Sequence, residues 1–193
     1  MTKNNGYRSL EGIGEKAYEI AKRRQAAANE AEMMLEEQYE AAFASHAASV
    51  LHTAAWLAGN SLRRSFEADG VSAPDSETGA ADESSEELKL MKVFIFLVDK
   101  YGIRLKPEDY AADIPPEHQT HLNAQEIAEK FGSRYDEIMK KHGFDYADGA
   151  RTGAVVCARL VKLHCANRTD LTPQVAASIV SRGFVEGGQG HEA

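Results

Sequence analysis

The sequence predicts an all-α fold: a mainly antiparallel bundle of five or six helices, with a long N-terminal helix and an acidic disordered connector. Three observations carry this prediction. Residues 9–66 are rich in Ala, Glu, Lys, Arg and Gln, all strong helix formers, and the first proline is Pro74. Glycine, proline and capping residues recur where apolar periodicity stops. No segment alternates convincingly with period two, and the apolar run Val93-Phe94-Ile95-Phe96-Leu97-Val98 stands inside a helix-compatible window with no partner strand.

In the first element, Ser9 is the expected cap, and Glu11 and Glu15 suit the positive end of a helix dipole. Gly12 and Gly14 weaken its first turn. Ala17, Ile20, Ala21, Ala28, Ala31, Leu35, Ala42 and Phe43 then recur at three- and four-residue steps. A continuous helix over residues 15–66 would span roughly 78 Å, more than a compact domain of this size covers. Either a break near residues 25–29 or an arm reaching a partner subunit is therefore expected. Two stretches strip side chains from the helix surface: Ala41, Ala42, Ala44, Ala47 and Ala48, then Ala54, Ala55, Ala58 and Gly59. Surfaces this smooth let another helix approach closely.

Residues 67–87 hold eight acidic residues and no basic one. With little apolar surface to bury, they are expected to form a flexible connector between the helical segment 1–66 and a second helical segment, 88–186, packed on the first. A short apolar helix over residues 88–101 should end at Gly102, a suitable left-handed terminator. The prolines 107, 115 and 116 make the next stretch a turn-rich crossing. Asn123 and Glu126 form a capping-box pattern for a helix stopped at Gly143. Asp145 or Asp148 starts a helix over residues 147–166, where Gly149, Ala150, Gly153, Ala154 and Ala158 repeat the smooth texture. Thr172-Pro173 opens a last helix to about residue 186, and residues 187–193 read as a disordered tail.

A formal charge of −8 argues against a nucleic-acid binder, which needs a basic face to displace counterions. No stretch approaches the roughly 20 apolar residues that cross a bilayer. The polar N-terminus carries no apolar signal core, so a cytoplasmic location is expected. Cys157 and Cys165, eight apart on one predicted helix, lie about 12 Å apart along its axis. That is too far for an internal disulfide.

Thiol and imidazole groups are the sharpest candidates for chemistry: Cys157, His164 and Cys165, with His46 and His52 on the long helix. Cys157 and His164 lie about 20° apart around one helix but roughly 10 Å apart along it. A metal site of His52, Cys157 and His164 therefore has to be assembled from different helices or subunits, with the metal or cofactor unknown. Glu-x-x-His, which di-metal bundles use, does not occur, nor does a Gly-x-Ser-x-Gly elbow. Gly12-Ile-Gly14-Glu-Lys16 lacks the Ser or Thr of a phosphate loop. His118 and His121 sit three apart without a visible third ligand. Phe131, Tyr135 and Ile138 follow a core-facing step. Arg63, Arg64, Arg151 and Arg159 are the cations most able to approach the core. One buried without an acidic partner would indicate a carboxylate or phosphate ligand, hence a small-molecule sensor.

The leading functional expectation is a non-catalytic helical assembly or accessory protein. It would self-associate or dock in a larger cytoplasmic complex through Ala44, Ala48, Ala55, Gly59, Gly153 and Ala154, without nucleic acid or a membrane span. The alternative is a metal- or cofactor-binding helical protein, a redox enzyme included, built on His52, Cys157 and His164.

Overall fold

A computed structural model describes residues 5–43, 46–70, 86–166 and 171–189, with side chains described over 14–39, 46–70, 90–166 and 171–189. Among these residues there are six helices and no strand. They are α1 (Asn5–Phe43), α2 (Ala47–Ala68), α3 (Glu86–Lys100), α4 (residues 124–141), α5 (Tyr146–Ala166) and α6 (Pro173–Gln189). The expected connector falls largely on residues 71–85, outside the described residues, while Glu67 lies in the last turn of α2 and Glu86 opens α3. None of the described helices is long and apolar enough to cross a membrane.

α1 runs through residues 25–29 without the expected break, as far as Phe43, and a separate helix, α2, begins after His46. Residues 25–29 stay helical because Ala26, Ala27 and Ala28 favour helix and Gln25 Nε2 donates to Asn29 Oδ1 one turn on (3.3 Å). His46 is extended (φ −81°, ψ 102°), and its carbonyl accepts the Ser49 amide (2.9 Å), starting α2. Its ring meets Ser49 Oγ (2.9 Å) and the distant Glu117 carbonyl (2.9 Å). That contact spans 71 residues, so local periodicity could not mark where α2 starts.

α2 is the centre of the molecule, buried on every side from Ala48 to Gly59, as a helix without a polar face must be. Gly153 of α5 faces Ala58 and Gly149 faces Ser61, so α5 runs antiparallel to α2. Gly183 of α6 faces Ala55 and Gly187 faces Trp56 and Asn60, so α6 runs in the same sense as α2. Small residues four apart on both helices, Ala55 and Gly59 against Gly183 and Gly187, bring the two backbones together. Gly187 therefore belongs to a helix that continues to Gln189, not to the expected tail.

The other helices wrap this centre. α1 buries Ala27, Ala28, Ala31, Met34, Leu35 and Tyr39. Arg24 pairs with Asp148 (2.5 Å) and Arg159 with Glu32 (3.0 Å), tying α1 to α5; Lys141 meets Glu30 (2.8 Å), tying α1 to α4. α3 buries Leu90, Phe94 and Val98 at four-residue steps and ends at Gly102, whose φ of +81° only glycine adopts without strain. In α4 the Asn123–Glu126 capping box is formed, and Ile127, Phe131, Tyr135, Ile138 and Met139 face the core. A π-helical turn over Ala128–Gly132 lies inside this helix.

Candidate functional site beside the central helix

α2 carries His52, Trp56, Asn60 and Arg63 at four-, four- and three-residue steps, one stripe along the helix. Two clefts open along that stripe and meet at Ala124. The first, about 420 Å³, lies between His52, the crossing that ends at Asn123, and Arg182 and Glu186 of α6. The second, about 700 Å³, lies between Trp56, Asn60 and Arg63 of α2 and Ala128, Ser133 and Asp136 of α4. The capping box sets the junction, since it fixes Ala124 as the first residue of α4: Asn123 Oδ1 accepts the Glu126 amide (3.0 Å) and Glu126 Oε2 accepts the Asn123 amide (2.9 Å). The crossing itself is tied down at both ends. Ser178 Oγ donates to the Ala112 carbonyl (2.6 Å), and the His121 amide donates to Ser49 Oγ (3.1 Å).

In the first cleft His52 is 4% exposed, and its Nε2 lies 2.8 Å from Glu186 Oε2. Arg182 Nε donates to the other Glu186 oxygen (2.7 Å). Burial pushes the His52 pKa below its ordinary value, more strongly than the Glu186 carboxylate pulls it up. Burial would raise Glu186, but hydrogen bonds from Arg182 and His52 outweigh it and hold the carboxyl below its usual range. A neutral His52 thus donates Nε2–H to Glu186 and leaves Nδ1, buried and unpartnered, as a bare acceptor. Both shifts make acid destabilising. Below about pH 6.5 the unfolded chain binds a proton at His52 that the folded chain refuses. Stability is therefore lost as pH falls through that value, and again below the ordinary carboxylate range as Glu186 protonates. Melting temperature is expected to drop between about pH 7.5 and 5.5, and His52→Gln to flatten that drop; an equally steep fall in the variant would remove His52 as its cause.

In the second cleft Trp56 is 3% exposed, and its indole nitrogen has no hydrogen-bond partner; the same is true of Arg63 Nε. Leaving a buried donor unpaired costs about 1–3 kcal/mol. The outer nitrogens of Arg63 are engaged, by Glu67 and by Asn60 Oδ1 (2.9 Å). Arg64 pairs with Asp136, donates to Tyr146 Oη (2.5 Å) and lies over the Tyr146 ring. Arg151 and Arg159 also have acids, Asp148 and Glu32. Of these four arginines, only Arg63 keeps a buried nitrogen without a partner.

The residues expected to meet other chains are used within this one. Ala48, Ala55, Gly59, Gly153 and Ala154 are buried: Ala55 and Gly59 against α6, and Gly153 against Ala58 of α2. The close approach that their smoothness implied is intramolecular. Ala44 lies outside the described residues.

His52, Cys157 and His164 do not converge. Among the described residues no three His, Cys, Asp or Glu side chains stand together as a metal-ligand set. Cys157 is fully buried in the α5 face, whereas His52 is turned to Glu186 on α6. Burial raises the Cys157 thiol far above its ordinary pKa and Cys165 to about 11, so neither is a thiolate at neutral pH. His118 lines the first cleft, while His121 packs on His46 with ring centroids 4.4 Å apart, so the two are not a pair.

Sequence reasoning missed Glu186 and Arg182. Their four-residue spacing was visible, but the register that turns Glu186 toward His52 depends on Gly183 and Gly187. The orphan donors of Trp56 and Arg63 had no sequence signal beyond the general interest of arginines near a core. The fold and clefts define an all-α protein with interhelical clefts beside a buried central helix. Comparison with protein-family models, curated proteins and solved structures finds no match.

Proposed function

We propose that this protein is a non-catalytic helical assembly protein that pairs with a second copy of itself through the N-terminal arm of α1. The observation that carries this reading is the exposure of every residue from Gly14 to Arg23. These residues extend α1 by about 15 Å beyond its first core contacts. Tyr18 is 68% exposed and Ile20 40%. Ala17 and Ile20 continue, at three- and four-residue steps, the stripe that Ala27, Ala31 and Met34 bury further along. A core-type stripe that outruns its core suits a helix from another molecule.

Charge favours a second copy in the opposite sense. Apart from Lys16, the arm places Glu15 and Glu19 before Lys22 and Arg23. An antiparallel partner lays each acidic block on a basic one, and a two-fold interface uses the same patch on both subunits. The Ala/Gly faces are already occupied within the chain, so the arm takes over the role first expected of them. A cytoplasmic setting agrees with two free thiols, Cys157 and Cys165.

Sedimentation equilibrium of the full chain tests this reading. A dimer is expected, weakened by salt, and the pair Ala17→Glu and Ile20→Glu is expected to yield monomer with unchanged helix content and melting temperature, because neither side chain enters the core. A wild-type monomer, or a dimer that survives both substitutions, would overturn it.

A further inference from the structure

The outer face of α3 joins two features that neither the arm nor the clefts explain. The stretch between Glu87 and Glu108 holds five basic residues and a single acid, Asp99, in a chain whose formal charge is −8. Lys92, Phe96 and Lys100 follow one another at four-residue steps, on the side of the helix opposite the buried Leu90, Phe94 and Val98. Phe96 is 59% exposed and its neighbour Ile95 39%. The Lys100 ammonium lies over the Phe96 ring, 5.1 Å from its centroid. Past the end of the helix Ile103 and Leu105 pack against the core, while Arg104 and Lys106 are exposed and prolong the basic run. Lys162 joins it from α5, 4.7 Å from the centre of the Tyr101 ring. Two acids stand against these charges: exposed Asp99, and Glu108, whose 3.9 Å contact with Lys106 lies fully at the surface and holds little.

Charge and shape together narrow the partner. A basic surface calls for a negative one, and screening over about 10 Å at 0.1 M salt keeps acids on the far side of the molecule from cancelling it. The apolar side chains stand on the crest of the helix. Lys92, Ile95, Phe96 and Lys100 border none of the main clefts among the described residues, so this face offers knobs and no pocket for a peptide's side chains. A bilayer supplies the receiving volume itself: aromatic and aliphatic side chains enter its interface, and lysine stems lie along them with the ammonium among the headgroups. We propose that the outer face of α3 docks on an anionic membrane surface. Lys92, Lys100 and the basic residues after them meet the headgroups, and Ile95 and Phe96 enter the boundary between headgroups and acyl chains. This is attachment to the surface, without a span.

Co-sedimentation of the full chain with vesicles tests this. One set is phosphatidylcholine alone, the other phosphatidylcholine with phosphatidylglycerol, each at low and high salt. The expected result is partition onto the anionic vesicles, at least tenfold weaker on the neutral ones and released by salt. Lys92→Glu together with Lys100→Glu is expected to lower the partition at least tenfold, and Phe96→Ser about fivefold. All three side chains are exposed, so helix content and melting temperature are expected to stay at the parent values. The arm of α1 also carries exposed apolar and basic residues, and the pair Ala17→Glu and Ile20→Glu separates the two surfaces: it is expected to abolish the dimer and leave vesicle binding on α3. No partition onto anionic vesicles, equal partition onto neutral ones, or partition indifferent to the lysines or to Phe96 would each overturn the proposal. Loss of vesicle binding in the arm variant would overturn it too, as would capture of soluble poly-glutamate in place of the vesicles, which would assign the surface to an acidic protein.

Discussion

Gly59→Ala is expected to destabilise the protein by about 1–3 kcal/mol, although alanine is the better helix former. A Cβ at position 59 would collide with the Phe184 carbonyl oxygen and stand 3.0 Å from the Gly188 amide nitrogen. Both are backbone atoms, so no side chain can swing aside. Relief requires α2 and α6 to separate, which also opens the contacts of Gly183 on Ala55 and Gly187 on Trp56. α2 is enclosed on all sides along this stretch, and a shift toward any other neighbour meets packed core. Gly14→Ala is the matched control. Nothing in the same chain lies within 4 Å of a Cβ there, so in the monomer only helix propensity acts, for a gain of about 0.5–1 kcal/mol. Chemical denaturation of both variants checks the pair, and opposite signs are expected. Equal stability of Gly59→Ala and the parent would mean that α2 and α6 do not approach as described.

Tyr39→Ala is expected to cost about 3–5 kcal/mol, the range for removing a large buried aromatic. Tyr39 is 1% exposed and stacks on Phe131 with ring centroids 5.5 Å apart. Its hydroxyl lies 2.6 Å from Thr53 Oγ1 and donates to the Ser49 carbonyl (3.1 Å). One side chain thus joins α1 to the first turns of α2, and to α4. Tyr39→Phe keeps the ring and loses the hydroxyl, for about 1–2 kcal/mol. Burial also pushes the Tyr39 phenol up to about 12, so its phenolate band should emerge only in strong alkali. Thermal and denaturant melts of the two variants separate the ring from the hydroxyl; a Tyr39→Phe loss as large as that of Tyr39→Ala would mean that the polar contacts, not the ring, hold the junction.

Much of the helical punctuation was legible because it is local. Gly102 and Gly143 end helices at positive φ, Asn123 and Glu126 close a capping box, and Thr172 Oγ1 accepts the Val175 amide (3.3 Å) at the start of α6. Each is an interaction among residues a few positions apart. The core face of α4 was legible for the same reason: Phe131, Tyr135 and Ile138 share one side at helical steps.

What escaped the sequence was contact across long separations. The start of α2 is held by His46 and Glu117, 71 residues apart. The smooth residues Ala55, Gly59 and Gly153 announced that a helix would come close, but smoothness is the same toward a neighbour in the chain or in another molecule. His52 was a candidate metal ligand in the sequence, and α6, aligned by Gly183 and Gly187, brings it Glu186 as its partner. That the nitrogens of Trp56 and Arg63 would be buried without a partner had no local signal either. Helix type and helix ends follow from backbone and side-chain preferences within a few residues, and these are written in order along the chain. Which helices touch, and which polar groups are left facing a cleft, depends on how six apolar stripes are satisfied together, and only the assembled packing specifies that.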